Sequence, residues 1–264
     1  MAFTPRHSFS CKTYNASRLA CVKMTTLEFS AFGLPRSGFC AFALLAMLAA
    51  TPLGSDEASG IDVCHLFESE TEFTTQTIYM EMEDVRHTIT VPTVYFEDWF
   101  DRVDGSEHRA QLFSVMIDDF TPVPRPMTAE LNMAGRSADY FTFLLTDPID
   151  LVDRIPIKAG ALATGDGRDL TRYEYIEADH DLEQLVPISG DPTYGDLFVD
   201  RDDNGAILAI LTCTNDPTFV SQGCTHEYRA FEIDLRLGYR RTQLPDWKEL
   251  QAKVTRFVEC ALTQ

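Results

Sequence analysis

Four cysteines after residue 50 are the side chains best suited to covalent chemistry: Cys64, Cys213, Cys224 and Cys260. No two of them have the Cys-x-x-Cys spacing that is typical of a zinc site. Cys224 and His226 share one face of a predicted strand, as a thiolate and its base would, but Cys213 is the better partner for this sulfur. An even number of cysteines in an exported chain is typical of disulfides, so we expect two bridges.

The spacing of these cysteines favours one of three connectivities. Residues 207–213 are an apolar strand candidate, residues 215–223 are a turn segment, and Cys224 begins the next strand. A Cys213–Cys224 bridge would close the mouth of this loop, which contributes about 3 kcal/mol in the chain-entropy model. A Cys64–Cys260 bridge would tie the two ends of the body together. The alternative is two free, buried thiols.

The histidines after residue 50 do not show the spacing of a metal or catalytic motif. They are His65, His87, His108, His180 and His226. His87 has apolar neighbours and is predicted to be a hydrogen-bonded core residue. In Asp179-His180-Asp181 carboxylates flank an imidazole, but neighbours on a strand point to opposite faces. The sequence also lacks a nucleophile elbow, a phosphate-binding loop and a dinucleotide fingerprint. We therefore assign no catalytic residue and no cofactor.

Residues 200–207 resemble the first half of an EF-hand calcium loop. Asp200, Asp202 and Asn204 occupy positions one, three and five of that loop, and Gly205 occupies position six. The resemblance implies that these three side chains bind a calcium ion. Position twelve is Leu211, where the family has a bidentate Glu, so an acidic β-hairpin tip is the preferred interpretation.

The first fifty residues have the order of a secretory signal. Five basic residues and one acid precede an uncharged apolar run over residues 39–50, which ends in small residues. This run is shorter than the roughly 20 residues that span a bilayer as a helix. We expect export to the periplasm or beyond, with cleavage after Ala50 or after Gly60 and no membrane span remaining. An uncleaved inner-membrane anchor is the alternative, and Met24 is an alternative start.

Acidity is concentrated in residues 51–264, which we expect to form one domain. The whole chain has 22 Lys and Arg against 41 Asp and Glu, a net charge of −19. Without the five bases and one acid of the leader, the net charge is −23. Such a surface repels nucleic-acid phosphates and attracts basic partners. With 45% hydrophobic residues, the chain is not a disordered acidic tail.

Alternating apolar residues predict strands through most of the body. The expected strands cover residues 76–82, 85–91, 110–117, 140–145, 173–176, 182–186, 197–199, 206–212, 224–228 and 231–239. In the last of these, Glu232, Asp234 and Arg236 are expected on a solvent-exposed face. The apolar phase changes before it, which predicts a bulge or tight turn near Arg229-Ala230. We expect a short helix over residues 93–101, an extended proline-rich loop over 122–126 and a flexible loop over 160–169.

The C-terminal segment predicts an amphipathic helix. Asp246 and Glu249 have the spacing of a capping box. Six apolar residues fall on one helical stripe: Trp247, Leu250, Val254, Phe257, Val258 and Ala261. The sequence therefore predicts an α+β fold with a mostly antiparallel sheet, on which this C-terminal helix packs and which disulfides pin.

These observations favour an exported, non-catalytic binding protein whose acidic surface docks a basic protein. An inhibitor or immunity protein that neutralises a secreted hydrolase is consistent with export and with strong negative charge. The alternatives are an envelope hydrolase that uses dispersed Asp, Glu and His residues, and a structural envelope component. The sequence identifies neither the binding residues nor the oligomeric state.

Overall fold

The computed structural model describes residues 62–147, 150–163, 167–216, 218 and 221–264. The signal region, Met24 and both expected cleavage positions lie outside these residues. The helices are α1 (Val63–Glu68), α2 (Arg125–Met133), α3 (Leu151–Leu162) and α4 (Trp247–Thr263). The strands are β1 (Phe73–Met80), β2 (Val85–Pro92), β3 (Ser106–His108), β4 (Ala110–Met116), β5 (Tyr140–Thr146), β6 (Tyr173–Ala178), β7 (Leu182–Pro187), β8 (Gly195–Arg201), β9 (Ile207–Thr214), β10 (Gly223–Ala230) and β11 (Ile233–Arg240).

The strands form one large and one small sheet. The large sheet has the order β4-β5-β11-β10-β9-β8-β7-β6, and all its neighbouring strands are antiparallel. The small sheet has the order β2-β1-β3, with β1 antiparallel to β2 and parallel to β3. The prediction of an α+β fold with a mostly antiparallel sheet is confirmed.

Helix α4 packs on the sheets through the predicted apolar stripe. All six predicted residues are buried, and Cys260 joins them. Phe257 lies at the centre of an aromatic cluster, with its ring centroid 5.1 Å from Phe67, 5.4 Å from Phe113 and 5.2 Å from Phe143. These separations are within the range of favourable aromatic pairs. Packing of this helix therefore joins α1, β4 and β5 into one core.

The predicted capping box of α4 is wrong. A 3-10 segment, Arg241–Asp246, leads directly into the helix, and the Asp246 side chain makes no capping hydrogen bond. Asp246 has φ −99° and ψ 13°, rather than the extended backbone of a typical N-cap. The Trp247 N–H instead donates to the Leu244 carbonyl oxygen, so the preceding turn satisfies this end of the helix.

The large sheet is covered on both faces. Leu197, Val199 and Ile210 pack against α3, whereas Phe198 and Leu211 belong to the core that contains α4. Adjacent strand residues point to opposite faces, so a strand buried on both sides is apolar throughout. This burial explains the continuous apolar run over residues 207–213.

Helix α3 corrects the predicted loop over residues 160–169. Gly160 lies inside the helix, and Pro156 lies in its middle. The Asp150 carboxylate accepts a hydrogen bond from the Val152 N–H at 2.7 Å and caps the first turn. A proline inside a helix costs free energy, because it removes a backbone hydrogen bond, so no helix is expected here from the sequence. Burial of Ile155 against the sheet outweighs that cost.

Three local predictions differ from the structure. Residues 93–101 contain two 3-10 turns, Thr93–Tyr95 and Trp99–Asp101, instead of one helix. Part of the expected proline-rich loop belongs to α2, which begins at Arg125 and accommodates Pro126 in its first turn. The tight turn between β10 and β11 lies two residues beyond its predicted place, at Phe231-Glu232.

Both predicted disulfides are present. Cys213 and Cys224 are direct partners across β9 and β10, and their bond closes a loop with a sequence separation of 11. Cys64 in α1 is bonded to Cys260 in α4, with a sequence separation of 196. The second bond joins the two ends of the folded body, as the sequence predicted.

Candidate functional site

His226 is a core residue in this fold. Its side chain is buried on β10, and its Nε2 lies 2.9 Å from Oε1 of Gln251 in α4. The rings of Tyr228, Tyr239 and Trp247 surround the imidazole at centroid distances of 5.2–6.2 Å. Burial lowers the pKa of His226 to about 4. An imidazole that is neutral, enclosed and paired with an amide supports packing rather than proton transfer.

His87 and His180 differ from their predicted environments. His87 lies on β2 opposite Ile78, and its Nε2 is buried without a hydrogen-bond partner among the described residues. His180 and Asp181 form the turn between β6 and β7, where both have positive φ, rather than a strand. The His180 carbonyl oxygen accepts from Trp247 Nε1 at 3.0 Å. The Asp-His-Asp motif therefore holds the β6–β7 turn against the beginning of α4.

A cleft of about 720 Å³ lies between β6, β7, β8 and the 3-10 segment before α4. Asp196 lines this cleft, and its Oδ1 accepts hydrogen bonds at 3.1 Å from both Gln184 and Asn215. Its other oxygen pairs with Arg241, which also donates to the Thr214 carbonyl oxygen. The Asp196 carboxylate is therefore fully engaged in anchoring the 3-10 segment to the sheet. Such an acid supports structure rather than general acid–base chemistry.

A buried ionic cluster lies on the face of the large sheet that α3 covers. Glu227 in β10 contacts Arg154 at 2.5 Å, Lys158 at 2.8 Å and Arg236 at 3.0 Å. Asp234 in β11 is also buried and pairs with Arg229 at 2.9 Å. The sequence analysis placed Asp234 and Arg236 on a solvent-exposed face. That prediction is wrong for Asp234 because the unpredicted helix α3 covers this part of the sheet.

The candidate calcium loop forms the tip of the β8–β9 hairpin. Oδ1 of Asp202 accepts from the N–H of Asn204 at 2.9 Å and of Ala206 at 2.8 Å, and the Ala206 bond is the main cause of its lowered pKa. Asp200 instead lines a groove beside α4 with Lys248, where burial raises its pKa. In the described part of the chain, no three His, Cys, Asp or Glu side chains form a group that could hold a metal ion. This arrangement favours the hairpin-tip interpretation, and the calcium site stays a prediction.

An exposed aromatic pair lies between β2 and β3. Trp99 is 70% exposed and Phe100 is 62% exposed. Their rings stack with centroids 3.6 Å apart and an interplanar angle of 30°. The sequence analysis expected a short helix over residues 93–101 and did not identify either residue as a binding candidate. Their exposure depends on the 3-10 turn that carries them, which the hydrophobic pattern does not reveal.

One comparison with known proteins supports the fold. No protein-family model matches the chain, and no curated protein matches it by sequence. An immunity protein of the Stenotrophomonas maltophilia type IV secretion system has a similar structure, with a TM-score of 0.52 and 13% identity over 72% of this chain and 94% of that chain. The iron-regulated outer membrane lipoprotein FrpD of Neisseria meningitidis has a TM-score of 0.45 and 12% identity over 73% and 93%. At 13% identity, the first likeness shows a shared fold alone.

The disulfides also bear on location. Both bonds point to export, because cytosolic reductants keep most protein thiols reduced. No helix within the described ranges is long and apolar enough to cross a bilayer.

Proposed function

We propose that the protein is an exported, non-catalytic binding protein that docks a basic protein, in the manner of an inhibitor or immunity protein. The observation that carries the proposal is the net charge of −23 on a body held by two disulfides. A rigid acidic surface needs no catalytic group to bind a basic partner. The shared fold with an immunity protein supports the same class of function.

Ion pairs within the molecule leave an excess of negatively charged side chains at the surface. Many basic side chains already contact acids of the same molecule, including Arg86 with Glu107 and Arg109 with Glu81. Because these pairs neutralise each other, the excess carboxylates determine the potential that an approaching protein meets. A potential of one sign steers oppositely charged partners and raises their association rate.

The environments of two histidines argue against the hydrolase alternative. A catalytic pair requires an imidazole and a carboxylate within hydrogen-bond reach in an accessible pocket. His226 is enclosed and paired with Gln251. Asp196, one of the three acids that line the cleft beside His180, is paired with Arg241. These contacts support a binding protein over a hydrolase.

The proposed location is the periplasm or the extracellular medium. We propose that residues 1–50 direct export and are removed after Ala50 or after Gly60. Intact-mass and N-terminal sequencing of the native protein would identify the mature end. Recovery of the full leader on an intracellular chain with reduced thiols would contradict this part of the proposal.

An affinity experiment tests the function. The mature, oxidised chain is immobilised and exposed to envelope extract and culture medium of the source organism, and the captured protein is identified and purified. We expect the captured protein to be basic. Its affinity for the chain, measured by calorimetry, should fall at least about tenfold when NaCl is raised from about 50 mM to about 500 mM. If it is a hydrolase, stoichiometric addition of the chain should inhibit it.

The control is an unrelated exported protein of similar net charge, which measures simple ion exchange. Salt-independent binding, or equal capture of the same protein by the control, would argue against the proposal. Hydrolytic turnover by the purified chain itself would favour the envelope-hydrolase alternative.

A further inference from the structure

The aromatic patch, defined by Trp99 and Phe100, is a large apolar surface that the described chain leaves open. Aromatic side chains of this size contribute most when they are buried, so exposure of a stacked pair sacrifices stability. Three other exposed apolar residues lie in the same stretch or at the start of β1: Phe73, Val94 and Val103. Exposed apolar clusters with a polar rim mark interaction sites on folded proteins.

The segment that carries the patch is held against the edge of β1. The Thr75 N–H donates to the Asp104 carboxylate at 2.8 Å, and the Gly105 N–H donates to the Thr75 carbonyl oxygen at 2.7 Å. The buried Gln76 side chain donates to the carbonyl oxygen of Asp101. These bonds fix the C-terminal end of the 3-10 turn and the residues that follow it. A preformed turn loses less conformational entropy when it binds a partner.

A second set of contacts fixes the start of the segment. Phe96 is buried and packs on Phe113 with ring centroids 5.5 Å apart. Its carbonyl oxygen accepts a hydrogen bond from Arg102 at 3.2 Å. Arg125 in α2 pairs with Asp98 at 2.9 Å. The aromatic patch is therefore presented by a braced turn rather than by a free loop.

The rim of the aromatic patch is acidic. Residues 97–107 contain five acids and one arginine. The five acids are Glu97, Asp98, Asp101, Asp104 and Glu107. Glu97 and Asp98 pair with Arg125, and Glu107 pairs with Arg86, so Asp101 and Asp104 provide the excess negative charge of the rim. The single arginine, Arg102, directs its guanidinium to the Phe96 carbonyl oxygen of the same segment. An apolar centre with a negative rim is complementary to an apolar pocket that Lys and Arg surround.

We propose that the aromatic patch is the hot spot through which this protein docks its basic protein partner. Trp99 and Phe100 enter an apolar pocket of the partner, and the acidic rim meets lysines and arginines around that pocket. Tryptophan is among the residues that dominate binding energy at protein interfaces. This inference rests on the proposed function and adds the surface that performs it.

The same charges disfavour the other occupants. A second copy of the chain would bring one acidic rim against another, which costs free energy. Residues 51–61 contain Asp56 and Glu57 and no base, so this segment is also repelled. A membrane surface is anionic where it is charged, and it repels acids around an inserting aromatic pair.

Intrinsic fluorescence provides a direct readout of the aromatic patch. The chain contains two tryptophans, of which Trp247 is buried and Trp99 is exposed. Acrylamide should therefore quench a solvent-exposed emission that Trp99→Phe removes. The probe is the purified protein identified by affinity capture. Its addition should protect this emission from quenching at a stoichiometric ratio.

Variants measure the contribution of the aromatic patch to affinity. We expect Trp99→Ala with Phe100→Ala to weaken partner binding at least about 30-fold, as removal of a hot spot does. The matched control is Ile188→Ala with Tyr194→Ala, which removes two similarly exposed side chains from the β7–β8 connection. Its affinity should stay within about threefold of wild type. Melting temperatures of both variants confirm that each still folds.

The outcomes separate this inference from the function on which it rests. If the wild-type chain binds a basic protein with the expected salt dependence but the Trp99/Phe100 variant binds equally well, the aromatic patch is the wrong surface and the function stands. If the wild-type chain captures no basic protein, both proposals fall.

Three further results would identify a different occupant and overturn the inference. Sedimentation is compared for wild type and variant, and a dimer that only the wild type forms would indicate a second copy. Quenching that appears only after deletion of residues 51–61 would indicate that this segment covers Trp99. A blue shift on vesicles of phosphatidylethanolamine and phosphatidylglycerol would indicate a membrane surface.

Discussion

Two buried side chains, His226 and Glu227, show how ionisable residues are accommodated in the core of this fold. His226 is neutral in the core because its surroundings are aromatic and its partner is the Gln251 amide. Glu227 remains buried because three cations surround it. His226 stays uncharged, whereas the charge of Glu227 is neutralised by neighbouring cations. These are the two ways in which a low-dielectric interior accepts ionisable residues.

The lowered pKa of His226 predicts a loss of stability in acid. The unfolded chain binds a proton at this residue below about pH 6.5, whereas the folded chain binds it only below about pH 4. Stability from this residue is therefore present above pH 6.5 and is lost as the pH falls towards 4, by about 3 kcal/mol. Urea unfolding of wild type and His226→Gln between pH 7.5 and 4.5 measures this difference. Parallel pH profiles of the two proteins would contradict the prediction.

Removal of the Glu227 charge should be strongly destabilising. In Glu227→Gln, the buried Arg154 loses its carboxylate partner, and breaking a buried pair costs about 3–5 kcal/mol. The control is Glu107→Gln, which removes one partner of the exposed pair with Arg86 and should cost below about 1 kcal/mol. The free energy of unfolding in urea at neutral pH measures both, and equal effects would show that the Glu227 cluster is not desolvated.

At the scale of elements, the two disulfides act on different parts of the fold. Cys213–Cys224 joins neighbouring strands that hydrogen bonds already pair. Cys64–Cys260 attaches α1 to α4, and α1 has only six residues. A helix this short is unstable by itself, so its position depends on packing and on this bond.

We expect the two bonds to differ in their effect on stability. Loop lengths of 196 and 11 predict losses of about 5 kcal/mol for Cys64→Ala with Cys260→Ala, and about 3 kcal/mol for Cys213→Ala with Cys224→Ala. Denaturant unfolding of the two double variants measures this order. Hydrogen exchange should also show faster exchange of α1 in the first variant alone, and protection of α1 equal to wild type would argue against its dependence on the bond.

The β8–β9 hairpin should fold without calcium. Asp202 already binds the backbone of its own turn, and Asp200 lies in the groove beside α4. A ligand that binds the folded state raises the melting temperature. We therefore expect the same melting temperature in calcium and in chelator. A rise on addition of calcium, abolished by Asp202→Asn, would instead establish the site that the EF-hand resemblance implies.

For the whole molecule, the net charge of −23 over residues 51–264 opposes the compact state. Screening reduces this self-repulsion, because the Debye length falls to about 10 Å at 0.1 M salt. We expect the melting temperature to rise by several degrees between about 20 mM and about 300 mM NaCl. Sucrose at equal osmolarity is the control for solvent effects. A melting temperature that falls with salt would mean that internal ion pairs outweigh the surface repulsion.

Local patterns account for most of the elements. Apolar alternation predicted the strands of the large sheet, and the apolar stripe from Trp247 to Ala261 predicted α4. Both periods arise from short-range geometry, which neighbouring residues impose on the backbone. The position of the turn at Phe231-Glu232 was predicted only to within two residues. Both residues adopt positive φ, and neither is the Asn or Gly that normally indicates such a turn.

The binding candidate shows the limit of such patterns. Trp99 and Phe100 are residue types typical of a core, and the charged residues on either side of them do not by themselves decide whether the pair is buried. Their exposure follows from bonds to β1, which is distant in sequence, through Thr75 and Gln76. The ionic cluster of Glu227 was missed for a related reason, because Arg154 belongs to a helix whose interior proline concealed it.

The sequence by itself determined the acidity, the even number of cysteines after residue 50, the apolar stripe of the last helix and the succession of strands. These properties depend on composition, on the number of cysteines or on apolar residues that recur every few positions. The sequence favoured one pairing of these cysteines without excluding the others. Only the tertiary structure decided which face of each strand is covered, which charges are buried and which aromatic residues remain in solvent. Those outcomes depend on contacts between residues far apart in the chain, and such contacts arise only when the sheets and helices pack together.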